Sequence, residues 1–266
     1  MKRIWLIIIG IGVIAPFLFM GFSPLQATND DFRTLENKAF KQGEKLVFSV
    51  KYGFVDAGEA TMSIPATKTI AGRPVYQLSF AVNSLPSFEW FYKVRTRYES
   101  YMDVKGLFPW RFEQHIREGN FSNDFSAFFD QKRGIAKTSE GQYEMPRYTQ
   151  DIISAFYFAR TIDYSKMKKG DKVRLQNFYG KKVHNLDVLF HGRETVTSAA
   201  GKFDCVIVEP YVKEGGLFKN EGSILIWLTD DEAKMPVIVK TKIVIGSIDA
   251  ELKSYENVAG KLTSKK

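Results

Sequence analysis

The sequence predicts a mainly β protein: one large antiparallel curved sheet or open β-barrel, with one substantial helix packed on it and an N-terminal signal helix. Three observations predict this class. Aromatic residues make up 14% of the 266 residues, with 22 Phe and 12 Tyr, which suits sheet faces where large rings pack across strands. Short strand-forming segments alternate with turn signals along most of the chain. One segment, residues 148–162, has instead the spacing of an amphipathic helix.

The first 27 residues have the order of a secretory signal peptide. Lys2 and Arg3 precede an apolar run of 19 residues, Ile4 to Phe22, and a helix-breaking stretch leads to Ala27. We predict cleavage after Ala27. The alternative is an uncleaved membrane anchor, because the run is long enough to cross a bilayer. Both interpretations place the rest of the chain outside the cytoplasm, in the periplasm or the outer envelope.

Strand signals begin after a short polar leader at residues 28–43. The clearest alternation runs from Val75 to Ser84, where Leu78, Phe80 and Val82 share one side, as in a half-buried strand. The large number of predicted strands favours one curved sheet or open barrel over a small sandwich. The predicted strands are 45–54, 59–65, 75–84, 90–103 (one long strand or two with a bend), 110–118, 120–130, 134–138, 142–145, 172–179, 182–193, 194–199, 202–211, 222–228, 236–245 and 247–255.

The predicted helix runs from Tyr148 to Ile162. Its large apolar residues recur at steps of three and four, which places them on one face. Thr149 is the expected N-cap, with Asp151 in the first turn. In an otherwise β protein we expect this helix to pack on a sheet face or to plug the mouth of a barrel.

Domain organisation and charge are simple. We expect a single β-rich domain over residues 44–258 and a frayed basic tail over residues 259–266. The formal net charge is +8, and Lys and Arg alternate with Asp and Glu without a long basic stripe, so we expect no nucleic-acid partner. The single cysteine, Cys205, has no partner for an internal disulfide and is interpreted as an apolar strand residue.

Catalytic and cofactor motifs are absent from the sequence. It has no HExxH, no cysteine pair, no GxSxG before a helix, no P-loop and no dinucleotide fingerprint, so we expect no enzyme activity, no cofactor and no metal site. Two acidic pairs, Asp230 with Asp231 and Glu113 with Glu118, leave a cell-wall glycoside hydrolase open as a minor alternative.

Several short motifs follow one another in order along the chain. They are Phe40-Lys41-x-Gly43-Glu44-Lys45-Leu46, Tyr52 to Ala60, Asp151-Ile152-x-Ser154-Ala155-x-Tyr157-x-x-Arg160, Gly192-Arg193-Glu194, Gly201-Lys202-Phe203, Gly222-x-x-x-x-Ile226-Trp227-Leu228-Thr229-Asp230-Asp231 and Met235-Pro236-Val237. Taken together they resemble one family, the exported bacterial family called domain of unknown function 3108. The resemblance covers about residues 40–256 and implies a β-rich protein of the periplasm or outer envelope. It implies no activity.

Three hypotheses of function remain from the sequence. The first is a protein that binds an apolar or amphipathic envelope molecule, such as a lipid, and it predicts a cavity lined by Phe and Ile. The second is a non-catalytic interaction or scaffold protein with envelope proteins as partners, and it predicts a solid core with a flat apolar surface. The third, the hydrolase, predicts clustered carboxylates in a groove. Membrane contact is expected only through the N-terminal segment, if it stays uncleaved.

The candidate ligand site is the concave sheet face near the helix. Its candidate residues are Tyr157, Arg160, Trp90 and Trp227. Arg160 has two interpretations that the sequence leaves open: a clamp for a carboxylate or phosphate, or one half of a structural ion pair with Asp151 or Glu221.

Overall fold

The strands of the protein join in one antiparallel sheet. The structure is a computed structural model and describes residues 32–212, 224–242 and 247–266. The signal helix predicted over residues 1–27 lies outside these residues. The described elements are β1 (Lys45–Tyr52), β2 (Val55–Ile70), β3 (Arg73–Ser84), β4 (Arg95–Asp103), β5 (Pro109–Glu118), β6 (Phe121–Asp130), β7 (Ile135–Thr138), β8 (Gly141–Glu144), α1 (Ile152–Ala159), β9 (Lys172–Tyr179), β10 (Lys182–Ser198), β11 (Gly201–Val212), β12 (Ile224–Thr229), β13 (Pro236–Lys242) and β14 (Ser247–Glu256).

The sheet order is β8-β7-β6-β5-β4-β3-β2-β1-β14-β13-β12-β11-β10-β9. Two meanders are therefore joined where β1 pairs with β14, and the helical segment lies in the chain between the two edge strands, β8 and β9. The edges approach each other, because the rings of Tyr143 and Phe178 are 6.0 Å apart and Lys181 pairs with Glu140. Gln150 adds a parallel bridge to β9. The prediction of one curved sheet or open barrel is confirmed.

Several predicted strand boundaries are wrong; the strand predicted over residues 59–65, for example, is part of the longer β2 (Val55–Ile70). Residues 182–193 and 194–199, predicted as two strands, form the single strand β10, whose pairing with β11 shifts register between Phe190 and Gly192. Residues 90–94, predicted as the start of a strand, belong to the β3–β4 connection, where turns close through bonds such as Phe88 N to Leu85 O at 2.9 Å. Aromatic content alone does not separate a strand from such a turn.

The helix is shorter than predicted and has a different N-cap. It spans eight residues, and Asp151 rather than Thr149 caps it, because the Asp151 carboxylate accepts hydrogen bonds from the backbone N–H groups of Ile153 and Ser154. The Ser154 hydroxyl accepts the Asp151 N–H in return, completing a capping box. Within the described part of the chain, the structure contains no helix with the length and apolarity needed to cross a bilayer.

The leader and the tail both pack on the sheet. Phe40 is buried in the leader. The tail was expected to fray, but the Ser264 hydroxyl donates to Asp231 at 2.6 Å and the Lys266 N–H donates to the carbonyl of Lys202 at 2.9 Å. The tail is therefore held by backbone and side-chain hydrogen bonds that composition does not reveal. Residues Arg33–Lys266 form one compact unit.

Alternate connections of an antiparallel meander lie at the same end of the sheet. The β1–β2, β3–β4, β5–β6 and β9–β10 connections therefore share one end, which we call the rim end, together with the start of β14. The C-terminus of α1 reaches the opposite end, where Arg160 meets Glu44 just before β1. The main core lies near this far end, between α1 and the sheet, and includes Phe40, Leu46 and Tyr157.

Candidate functional site

A cavity of about 710 Å³ lies between the concave face of the sheet and α1. Its wall is built by alternate residues of the strands, because every second side chain of a strand points to the same face. Phe48, Met62, Phe80, Val82 and Ile226 illustrate the composition of this wall, which is predominantly aliphatic and aromatic. Its volume falls within the range of small-molecule binding pockets, about 300–1,000 Å³.

The helix supplies one side of the cavity. Ile152, Phe156 and Ala159 follow one another at steps of four and three, so they share a helix face, and all three line the cavity. Tyr157 lies on another face, packed edge-on against the ring of Phe40 with centroids 5.0 Å apart. The apolar residues whose spacing predicted the helix thus form two faces, one that lines the cavity and one that packs in the core.

Few polar side chains reach the cavity, and one of them has an unused acceptor. Asn177 on β9 is 5% exposed, and its Oδ1 atom has no hydrogen-bond partner among the described residues. Ser84 accepts the backbone N–H of Val94 at 3.0 Å, and Glu118 accepts the hydroxyl of Thr96 at 3.1 Å. A buried amide oxygen without a partner costs free energy unless a ligand or water donates to it. Asn177 is therefore the wall residue best placed to orient a polar group.

Two of the predicted site residues, Tyr157 and Arg160, lie together but outside the cavity wall. The Arg160 guanidinium carbon is 5.2 Å from the Tyr157 ring centroid, and both side chains are buried. Arg160 donates to both carboxylate oxygens of Glu44, at 2.6 and 2.8 Å, and to the carbonyl of Ala39. Its ion-pair partner is thus Glu44, which is far away in sequence.

Of the two ion-pair partners that the sequence suggested for Arg160, one has another role in the structure and the other is not described. Asp151 caps the helix instead of pairing with Arg160. Glu221 lies outside the described residues. The geometry favours the structural interpretation of Arg160, because a clamp for a ligand needs N–H groups that face a cavity, and four of its hydrogen bonds go to protein oxygens.

Neither of the two predicted tryptophans is among the residues that line the cavity. Trp90 is 84% exposed in the β3–β4 connection. Trp227 is buried on β12, and its indole N–H donates to Glu194 at 2.9 Å. The structure therefore does not bring the four predicted residues into one site. The wall residues that sequence reasoning missed are ordinary strand aliphatics, whose alternation indicates an inward face but not that a void lies behind it.

The carboxylates of Asp230 and Asp231 contact other groups of the protein, and Cys205 is buried. Asp231 accepts the backbone N–H of Ala233, whereas Asp230 pairs with Arg193. Cys205 is buried, and this burial raises the pKa of its thiol to about 12. Among residues 32–212, 224–242 and 247–266, no group of three or more His, Cys, Asp and Glu side chains is arranged to hold a metal ion.

Asp151, which caps the helix beside the cavity, has a carboxyl pKa that differs from its ordinary value. Burial raises the pKa of its carboxyl to about 6, although the hydroxyl of Ser100, which donates at 2.6 Å, and the capping N–H groups oppose this shift. Because the folded protein holds this proton more tightly than the unfolded chain, the contribution to stability is present at low pH. It is lost as the pH rises from about 4 to about 6.

We therefore expect a pH-dependent difference between the protein and its Asp151→Asn variant. Asparagine keeps an oxygen that accepts the capping N–H groups but does not titrate. The free energy of unfolding of the protein, relative to that of the variant, should decrease between pH 4 and 6, as measured by urea denaturation at each pH. A difference that is constant across this range would contradict a raised pKa.

The comparisons with known proteins identify the family and the fold. The sequence profile of the family described as Protein of unknown function (DUF3108) matches residues 47–253. A crystal structure of a beta-barrel-like protein of domain of unknown function DUF1849 from Brucella abortus superposes with a TM-score of 0.54. The two share 9% identity, over 83% of this chain and 98% of that one. This likeness shows the fold alone.

Two other solved structures are more distant. A candidate lipoprotein from Parabacteroides distasonis is 12% identical with a TM-score of 0.36, over 85% of this chain and all of that one. A candidate exported protein with a YmcC-like fold from Bacteroides fragilis is 10% identical with a TM-score of 0.38, over the same shares. No curated protein matches the sequence. Because the family profile spans most of the chain, the protein belongs to the family of proteins of unknown function called DUF3108.

Proposed function

We propose that this protein is an exported envelope protein that binds an apolar or amphipathic molecule in the cavity beside α1. The observation that carries the proposal is the cavity itself: about 710 Å³ with a mainly apolar wall that opens to solvent. An apolar wall in contact with water is unfavourable, because apolar surface is more stable when it is removed from water. An apolar ligand would bury both this wall and its own apolar surface.

Export is supported by the order of features at the start of the sequence. A positive segment, an apolar run and a small residue at a predicted cleavage point are typical of a secretory signal. Lipids and other amphiphiles are abundant in the compartment that such a signal addresses. A binding protein there would shield the apolar part of its ligand from water.

The wall chemistry favours an amphiphile with a long apolar part and a small polar part. Aliphatic and aromatic side chains dominate the wall, and Asn177 offers one neutral acceptor. A ligand hydroxyl or amide could donate to this oxygen. Among the described residues, no cluster of cations faces the wall to hold a multiply charged head group, since the described lining includes one basic side chain, Lys51, which is paired with Glu251.

Native mass spectrometry of the protein purified from the envelope of its own host tests the proposal. We expect a mass above that of the polypeptide by one amphiphile at defined stoichiometry, and solvent extraction then identifies its class. A polypeptide mass without any adduct, together with no uptake of added fatty acid or phospholipid, would overturn the proposal. That result would favour the alternative hypothesis, an interaction protein of the envelope.

A further inference from the structure

Exposed apolar side chains are concentrated at the rim end of the sheet. Of the eleven large apolar residues that are exposed in the described part of the chain, Leu35 and Phe128 lie at the far end, and the other nine lie at or beside the rim-end connections. Six of these lie in or directly beside three neighbouring connections, β1–β2, β3–β4 and β5–β6. We call them the apolar rim: Phe54, Val55, Trp90, Phe91, Tyr92 and Phe121.

The side chains of the apolar rim are strongly exposed to solvent. Phe54 is fully exposed, Trp90 is 84% exposed and Phe91 is 61% exposed. Single exposed apolar residues are normal on protein surfaces, but a group of large ones at one end marks an interaction site. Nothing about folding requires it, because these rings contribute little to the core.

The rim is an ordered structure rather than a set of separate tips. The Leu85 N–H donates to the carbonyl of Ala57 at 2.9 Å, and the Gly119 N–H donates to the carbonyl of Lys93 at 2.8 Å, so the three connections are bonded together. Gly119 has a φ of 57°, and a side chain there would collide with the ring of Tyr92. The aromatic rings are therefore held out from a fixed base.

The rim borders the cavity. Phe91 and Tyr92 are exposed to solvent and also line the cavity wall, so they belong to both surfaces. Tyr52 and Ile248, on the adjacent ends of β1 and β14, line the wall at the same end. A molecule that leaves the cavity at this end would pass between the rings of the apolar rim.

Among the described residues, the charges beside the apolar rim are largely paired with each other. Arg95 and Lys93 both pair with Glu89, and Arg117 pairs with Asp124. A surface that binds through attraction to anions needs cations free to contact them. The rim therefore offers apolar rings with neutralised surroundings, and this composition matches the interface of a lipid bilayer, where Trp and Tyr are enriched.

We propose that the apolar rim docks on a lipid bilayer and inserts the tips of its rings among the lipids, so that the cavity mouth faces the acyl chains. The inference rests on the proposed function, because it supplies the route by which an amphiphile would enter or leave the cavity. From the sequence alone, membrane contact was expected only at the N-terminal segment. The proposed contact is formed by loops of the folded sheet.

Fluorescence of Trp90 tests the proposal. The chain beginning at residue 28 retains the compact unit from Arg33 to Lys266 and lacks the apolar run that would itself bind lipid. In it, Trp110 and Trp227 are buried, so Trp90 is the tryptophan that responds to its surroundings. On adding phosphatidylcholine vesicles we expect a blue shift, quenching by lipids brominated in the acyl chain, and loss of both signals in Trp90→Phe.

Matched variants distinguish binding through the apolar rim from nonspecific adsorption of the protein to lipid. Trp90→Ser combined with Phe91→Ser should weaken vesicle partitioning at least about tenfold, because two exposed rings no longer enter the interface. Leu35→Ser combined with Phe128→Ser, which removes exposed apolar side chains from the far end, should leave partitioning unchanged. Binding should persist in about 0.5 M NaCl, since it does not depend on unpaired charge.

The outcomes distinguish this inference from the proposed function. Absence of a blue shift and of quenching, or equal losses in the rim and far-end variants, would overturn membrane docking even if the purified protein carries an amphiphile. The protein could instead dock on vesicles with the expected Trp90 signals but carry no amphiphile after purification. That result would support the docking surface and count against the cavity as a ligand site. A loss of binding in about 0.5 M NaCl would also overturn the inference, because it would indicate electrostatic attraction.

Discussion

Replacing Arg160 with alanine should destabilise the protein by about 3–5 kcal/mol, the usual cost of removing one partner of a buried ion pair. Arg160 and Glu44 are each 1% exposed. Without the guanidinium, both oxygens of Glu44 and the carbonyls of Ala39 and Ala233 lose their donor inside the fold. This loss is a large share of the stability of an ordinary domain, so partial unfolding is expected.

Urea denaturation monitored by circular dichroism measures the effect. Arg174→Ala is the matched control, since the Arg174 side chain is exposed and its partner, the buried Asp187 carboxylate, keeps a second cation in Lys172. It should cause little measurable loss. Replacing both Arg160 and Glu44 with methionine should recover part of the stability, because no buried charge is then left alone. A normal urea midpoint for Arg160→Ala, combined with weaker ligand binding, would instead support the ligand clamp.

Filling the cavity should abolish ligand binding and leave the fold intact. Val82 and Ala250 line the wall from β3 and β14 and are only partly buried, so their side chains face free space. Tryptophan at both positions would occupy part of the volume that a ligand chain needs. Excluding about four methylene groups, at about 0.8 kcal/mol each, corresponds to at least about a hundredfold loss of affinity.

Titration with the apolar fluorescent probe N-phenyl-naphthylamine, and native mass spectrometry of the co-purified ligand, measure this loss. Ala81→Trp is the matched control, because Ala81 neighbours Val82 on the same strand and does not line the cavity. It should bind the probe as the unaltered protein does. Equal affinity in the double variant would place the binding site elsewhere. Vesicle docking through the apolar rim should survive in the double variant, since the rim is unchanged.

Local sequence patterns determined the fold class correctly. Strand alternation such as that of Leu78, Phe80 and Val82 predicts an inward face because side chains alternate along any extended chain. The helix was detected for the same kind of reason, since its apolar residues recur with the helical period. The family resemblance followed from ordered motifs and was confirmed by the match over residues 47–253. These features depend on neighbours within a few residues of each other.

The partners of buried groups were decided only by tertiary structure. Arg160 pairs with Glu44, 116 positions away, and nothing local marks that carboxylate as its partner. Likewise, the tail residue Ser264 donates to Asp231 across 33 positions. The sequence therefore identified Arg160 as unusual but could not choose between a ligand clamp and a structural pair, because that choice depends on which distant groups the fold brings within hydrogen-bonding distance.

The cavity and the apolar rim also depended on the tertiary structure. A void exists where inward-facing side chains from strands on both halves of the sheet fail to meet, and this follows from the curvature of the whole sheet rather than from any single strand. Trp90 was predicted as a ligand contact from its type alone, whereas the fold places it at the exposed end. By itself the sequence determined which faces are apolar. The tertiary structure decided which of these faces pack in the core, which line the cavity and which remain exposed, because these outcomes depend on the curvature and topology of the whole sheet.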